Sequence, residues 1–214
     1  STFDLEQENN FNIEFGDACF SGLTNLKEFQ IIGGNVAINN QCLKFCISLE
    51  HLIFLNVRNL SIDSEHFLNS NSLKNIIIDS SSDVILDNNC FVNSSQIKSI
   101  AIRGGNVSIK NNCFEDCSSL ESIIIHSKNV ELGTRSFIKC IKLYNININA
   151  DSNITIDDKC FNGLNITSFD INGKNIKIGN ESFKNCSLID SFVISMAKKV
   201  KLGYNSFEGC KNLN

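Results

Sequence analysis

The stretch Leu120-Glu121-Ser122-Ile123-Ile124-Ile125-His126-Ser127-Lys128-Asn129-Val130-Glu131-Leu132-Gly133-Thr134-Arg135-Ser136-Phe137-Ile138-Lys139-Cys140 decides the fold. Leu143 then opens the same pattern again, with Ile146 and Ile148 in the places of Ile123 and Ile125. Working outward, the phenylalanine recurs as Phe20, Phe67, Phe91, Phe114, Phe137, Phe161, Phe183 and Phe207, with Leu43 in the one gap, at steps of 22 to 24 residues. A period of this length marks a solenoid, in which each coil buries its apolar side against its neighbours.

The columns of the repeat read physically. Ile123 and Ile125 lie two apart, which is strand spacing, with both side chains on one face and Ile124 on the other. Each copy has such a pair, from Phe29/Ile31 through Ile76/Ile78 to Phe192/Ile194. A second period-two pair follows, from Ile13/Phe15 through Val107/Ile109 to Val200/Leu202. The expected architecture is therefore mainly β: about nine coils of 22–24 residues, each with two short parallel strands. The Phe-x-x-Cys segment, too short for a true helix, is expected to close each coil as a single helical or 3₁₀ turn. Asparagine precedes the second strand in seven copies (Asn12, Asn35, Asn59, Asn106, Asn129, Asn153 and Asn175), where it suits turn geometry and can bond its counterpart one coil away.

These features resemble the BspA-like class of leucine-rich repeat. The residues that carry the resemblance are Leu-x-x-Ile-x-Ile, Asn-Val-x-Leu-Gly and Cys113-Phe114-Glu115-Asp116-Cys117-Ser118-Ser119-Leu120, with Ser182-Phe183-Lys184-Asn185-Cys186 and Ser206-Phe207-Glu208-Gly209-Cys210 as further copies. The Asn- and Ile-rich composition is similar to the protist surface-protein branch of that class. The chain departs from the bacterial pattern in having no proline. The resemblance implies a cell-surface or secreted adhesin-type ectodomain that binds host or matrix proteins. An intracellular leucine-rich-repeat scaffold, in the cytoplasm, is the alternative.

A net charge of −4 and a pI near 5.4 argue against a nucleic-acid partner. No apolar run approaches the length of a membrane span. One domain over residues 1–214 is expected, and the pattern at both ends reads as part of a longer protein. The ten cysteines fall into two columns: Cys19, Cys42, Cys90, Cys113 and Cys160 just before the Phe position, and Cys46, Cys117, Cys140, Cys186 and Cys210 three after it. Serine, histidine and leucine replace them (Ser136, His66, Leu23, Leu164), so small core-facing residues are the first reading. Neighbouring-coil disulfides such as Cys186–Cys210 or Cys117–Cys140 and a zinc site remain as alternatives.

No cofactor, metal or catalytic group is expected. His51, His66 and His126 lie in different copies, and Gly33-Gly34 and Gly104-Gly105 read as turns rather than phosphate loops. Asp87, Asp157 and Asp158 lack the spacing of a calcium loop. A carbohydrate-active β-helix enzyme would need converging carboxylates, whereas Asp79 and Asp170 fall four coils apart on the first sheet. Seven Asn-x-Ser/Thr sequons (Asn59, Asn93, Asn106, Asn153, Asn165, Asn180 and Asn185) carry little information in so Asn- and Ser-rich a chain.

The outward residues of the first sheet follow from the inward ones. They form an apolar stripe of Ile53, Ile77, Ala101 and Ile124, flanked by Ile32 and Leu55 and rimmed by His51, Asp79, Arg103 and His126. A contiguous exposed apolar patch marks a contact surface for a protein ligand. The preference of β-branched residues for strands would give the same stripe without function.

Overall fold

Fifteen strands build two faces of one coiled stack in a computed structural model that describes residues 1–7, 11–67 and 70–213. Asn214, the last residue of the expected domain, lies outside the described residues. The first face runs β1 (Thr2–Glu6), β3 (Glu28–Ile32), β5 (His51–Val57), β7 (Asn75–Ser80), β9 (Ser99–Ile109), β10 (Ser122–Leu132), β11 (Asn145–Ile156), β12 (Ser168–Asn172) and β14 (Ser191–Ser195), every neighbour parallel. The second face holds β2 (Asn12–Phe15), β4 (Asn35–Ile38), β6 (Asn59–Ile62) and β8 (Asp83–Leu86), then the latter halves of β9 to β11, then β13 (Asn175–Ile178) and β15 (Lys199–Leu202). Nine coils result, as the period predicts.

The expectation of two separate strands per coil holds at both ends of the stack but not in its middle. β9, β10 and β11 each run 11 to 12 residues through the corner without a break. Gly104 opposite Ser127, and Ser127 opposite Ala150, are small enough to keep the ladder bonded there.

Inside, the rows close on each other. The inward pairs of β3 through β13 are buried, and the recurring phenylalanines form a lengthwise stack. Ring centroids from Phe67 through Phe91, Phe114, Phe137, Phe161 and Phe183 to Phe207 are 4.9 to 5.4 Å apart, with neighbouring planes within 19° of parallel. Each such aromatic pair contributes about 0.5–1.5 kcal/mol beyond its burial. The last coil departs from the expected pattern, because Val200 and Leu202 are 43% and 52% exposed. Their strand, β15, has a bonded neighbour on one side only.

The third side corrects the expected helical or 3₁₀ turn. It contains hydrogen-bonded turns and no helix among the described residues. Among the described residues, those two before and two after the Phe position have positive φ, as in Asn112 (53°) and Asp116 (61°) around Phe114. A helix needs an unbroken right-handed run, and these left-handed residues interrupt it. In exchange, alternate amides turn toward the next coil: Asn112 N–H donates to Thr134 O (3.0 Å), Phe114 to Ser136 O (2.8 Å) and Asp116 to Ile138 O (3.0 Å). The amides between them close local turns, Glu115 N–H on Asn112 O and Cys117 N–H on Phe114 O. The third side is thus itself a ladder.

Side chains finish the buried backbone. The thiols of Cys46, Cys117, Cys140, Cys186 and Cys210 donate to the carbonyls of Phe20, Phe91, Phe114, Phe161 and Phe183 one coil back, at 3.1–3.3 Å. Ser94 does the same to Phe67 O (2.8 Å), so the column selects a small donor rather than a cysteine as such. All ten cysteines are free thiols; neither of the alternative bridges, Cys186–Cys210 or Cys117–Cys140, is formed. Outside, the asparagine ladder is present: Asn35 donates to Asn12, Asn59 to Asn35, Asn129 to Asn106, Asn153 to Asn129 and Asn175 to Asn153, at 2.7–2.9 Å. Asp83 joins the row by accepting from Asn106 (2.7 Å).

His66 occupies the cysteine column just before Phe67, and it is buried. Its Nε2 accepts from the Leu43 N–H (3.1 Å), replacing the carbonyl that serves that amide elsewhere in the column. Its Nδ1 has no partner among the described residues. Burial lowers its pKa to about 4.

Two outcomes follow from this packing. Phe114 is sandwiched between two rings and fully buried, whereas Phe207 stacks on Phe183 and is half-buried. Urea unfolding should show Phe114→Ala costing about 3–5 kcal/mol and Phe207→Ala clearly less; equal losses would contradict nearest-neighbour stacking. For His66, the unfolded chain takes up the proton first, near its ordinary pKa of 6.5, and the folded chain only near 4. Its contribution is therefore intact above about pH 6.5 and is lost as pH falls toward 4, by up to about 3 kcal/mol. Unfolding of wild type and His66→Cys, compared at pH 7 and pH 4, should show wild type losing more over this range; a parallel pH dependence would refute it.

Candidate functional site

The first face places the expected stripe in register. Ile53 pairs with Ile77, Ile77 with Ala101, and Ala101 with Ile124. Gln30 and Asn147 bound the row at its two ends. Four apolar side chains therefore follow one another over three ladder steps, roughly 14 Å at strand spacing. Ile77 and Ile124 are 41% and 37% exposed, whereas Ile53 and Ala101 are half-buried.

The rim divides into two. His51 stands at the start of its strand, in a row where Asn75 Nδ2 meets His51 Nδ1 (3.2 Å) and Ser99 Oγ donates to Asn75 Oδ1 (2.9 Å). Asp79, Arg103 and His126 lie on the opposite side of the stripe, in register with one another and with Asn149. Ile32 and Leu55 occupy the same side in the earlier coils, half-buried and paired with each other. The ten expected residues therefore share one face, but His51 does not meet His126. The latter three rim residues face a groove.

That groove was not expected from sequence. It runs along the corner where the first face turns into the second, with a volume of about 710 Å³, and Asp79, Arg103, Gly104, His126, Lys128 and Asp151 are among its walls. The corner is shaped in part by a bulge: Asn56 has φ 52°, and the β5–β7 register shifts between Phe54 and Val57. Ser80 Oγ then donates to Arg58 O (2.9 Å), holding the turned backbone in place. The groove carries both charge signs, with Arg103 and Lys128 against Asp79 and Asp151.

The second face differs. Its outward middle row reads Glu14, Ala37, Ser61, Ile85, Ser108, Glu131, Thr155, Lys177 and Lys201, with no two large apolar residues adjacent. Several of its polar groups already bond each other. Glu131 accepts from Ser108 Oγ (2.8 Å) and Lys110 Nζ (3.0 Å), which together with the lysine charge lower its pKa. Lys177 pairs with Asp157 at 3.5 Å.

Asp79 and Asp170 stand four ladder steps apart, on the order of 19 Å at strand spacing. Among the described residues, no three His, Cys, Asp or Glu side chains converge as metal ligands, and no helix is long and apolar enough to cross a membrane.

A family model described as the BspA type leucine rich repeat region matches residues 5–117 and 84–214. The chain belongs to the BspA-type leucine-rich repeat family. No curated protein matches this BspA-type chain. Among solved structures, a leucine-rich repeat protein from Bacteroides ovatus ATCC 8483 aligns over 99% of this chain and 85% of its own, with a TM-score of 0.40 and 15% identity.

Proposed function

We propose that this chain is a non-catalytic protein-binding repeat domain whose contact surface is the outward side of the first face. The observation that carries the reading is the in-register row Ile53–Ile77–Ala101–Ile124, set between two polar rims on the first face, whereas the outward middle row of the second face holds no two adjacent large apolar residues. Burying such a row against a partner removes apolar area from water at about 25 cal/mol per Å². The charged groove residues Asp79, Arg103 and His126, with His51 opposite, supply orientation at the rim, where complementary charge selects partners and speeds encounter. Ile32 and Leu55 extend the apolar area toward the amino-terminal coils. Residues 1–214 act as one domain in this reading.

The ligand is a protein exposed at a host cell surface or in matrix, and the chain is displayed at the cell surface or secreted, as an adhesin-type ectodomain. Family membership supports this step by analogy, since repeat class constrains architecture more tightly than function. A second reading, an intracellular scaffold, draws support from the ten free thiols, because oxidising compartments favour disulfides. Labelling of intact cells with an impermeant reagent separates the two locations.

Ile77→Ser with Ile124→Ser tests the surface. Capture of matrix and cell-surface proteins by the immobilised chain should fall at least tenfold, while the unfolding midpoint moves little because both side chains are already partly exposed. Undiminished capture by a stably folded double variant would remove the stripe from the binding surface.

A further inference from the structure

The cysteine column before the phenylalanines contains one pair unlike the others. Cys19 Sγ and Cys42 Sγ are 2.9 Å apart, across adjacent coils and 23 residues of chain. The backbone holds them opposite each other: Ala18 N–H donates to Asn40 O (3.0 Å) and Phe20 N–H to Cys42 O (2.9 Å), on either side of the pair. Ladder-bonded strands sit about 4.7–4.9 Å apart, inside the Cα separation of about 4.4–6.8 Å that a disulfide accepts. Cys19 is also exposed, and it is alone among the ten cysteines in this. Cys90 and Cys113 occupy neighbouring coils of the same column, but both are buried. His66 separates that inner pair from Cys42, and Ser136 stands between Cys113 and Cys160.

We propose that Cys19 and Cys42 form a redox-active pair, which a small-molecule disulfide of the glutathione class converts into an inter-coil cystine. Cys19 is the attacking sulfur. Its thiol releases a proton to solvent, its sulfur bonds to one sulfur of the small disulfide, and the other half leaves as a thiolate that takes up a proton. Cys42 then gives up its proton, bonds to the Cys19 sulfur and expels the second small thiol. Two protein thiols are oxidised to one cystine, and one small disulfide is reduced to two thiols. Burial and the neighbouring Cys19 raise the Cys42 pKa, which agrees with its acting second, once the mixed disulfide is within reach.

The place of the bond gives it a consequence. The first coil is the least covered of the amino-terminal half, with Ile13, Phe15 and Phe20 only half-buried and β2 bonded on one side alone. A bridge from Cys19 to Cys42 staples this coil to the next and restricts the unfolded chain. The inference needs no ligand, so it stands or falls separately from the binding surface.

The experiment uses the intact chain, equilibrated in reduced and oxidised glutathione mixtures, then alkylated and mapped by mass spectrometry. Free thiols should fall from the ten of the reduced chain by two, with the Cys19 and Cys42 peptides linked and the bond reversed by dithiothreitol. Thermal unfolding of the oxidised chain should shift upward, and Cys19→Ser and Cys42→Ser should each abolish both the link and the shift. Ten free thiols under oxidising glutathione would overturn the proposal. Cys19 carrying glutathione with Cys42 still free would overturn it equally.

Discussion

Registry between coils is the constraint on which the rest of this molecule depends. A single coil of 22–24 residues cannot enclose a core. Its apolar residues are buried because identical positions in the coils before and after it bring the same side chains to the same height. Three backbone ladders enforce that registry, two of them β-sheet and one made of turns whose alternate amides point to the next coil. A slip by one residue would send every inward side chain outward. It would also break the phenylalanine stack, the asparagine row and the thiol-to-carbonyl bonds together. The sequence repeats so strictly at these columns because each column answers to the same geometric requirement.

The third side shows how local strain is offset by stacking. Left-handed φ values at non-glycine residues such as Arg135, Lys139 and Phe45 are unfavourable for an isolated turn. They persist because they aim amides at carbonyls of the next coil, and an unpaired buried amide is costlier still. The small donors three residues after most of the phenylalanines belong to the same accounting: they give a phenylalanine carbonyl one coil back a second hydrogen bond beside the local turn amide it already accepts.

Much of this was legible in the residues. Period-two pairs such as Ile123/Ile125 name their own faces, Phe91 and Phe137 declare themselves core by their recurrence, and the asparagines before the second strand bond as their stacking predicts. The turn ladder was not legible, because Phe-x-x-Cys spacing resembles a helical turn and φ leaves no mark when Arg135 or Glu181 takes the left-handed place of glycine or asparagine. The thiol bonds were hidden for a related reason: a small residue facing the core and a small residue donating to a carbonyl look alike in sequence. For the candidate site, alternation placed all ten residues on one face. It also set His51 before the stripe and His126 after it, but it did not reveal the corner groove, which depends on a bulge at Asn56 and on small residues at the bend.

Native-state hydrogen exchange measures the registry most directly, since it reports the opening of each ladder separately. If every coil is held only by its neighbours, amides of β9, β10 and β11 exchange slowest, and protection falls stepwise toward β1 and β2 at one end and β14 and β15 at the other. Central amides that exchange as fast as the terminal ones, or a protection map unrelated to position along the stack, would contradict the account.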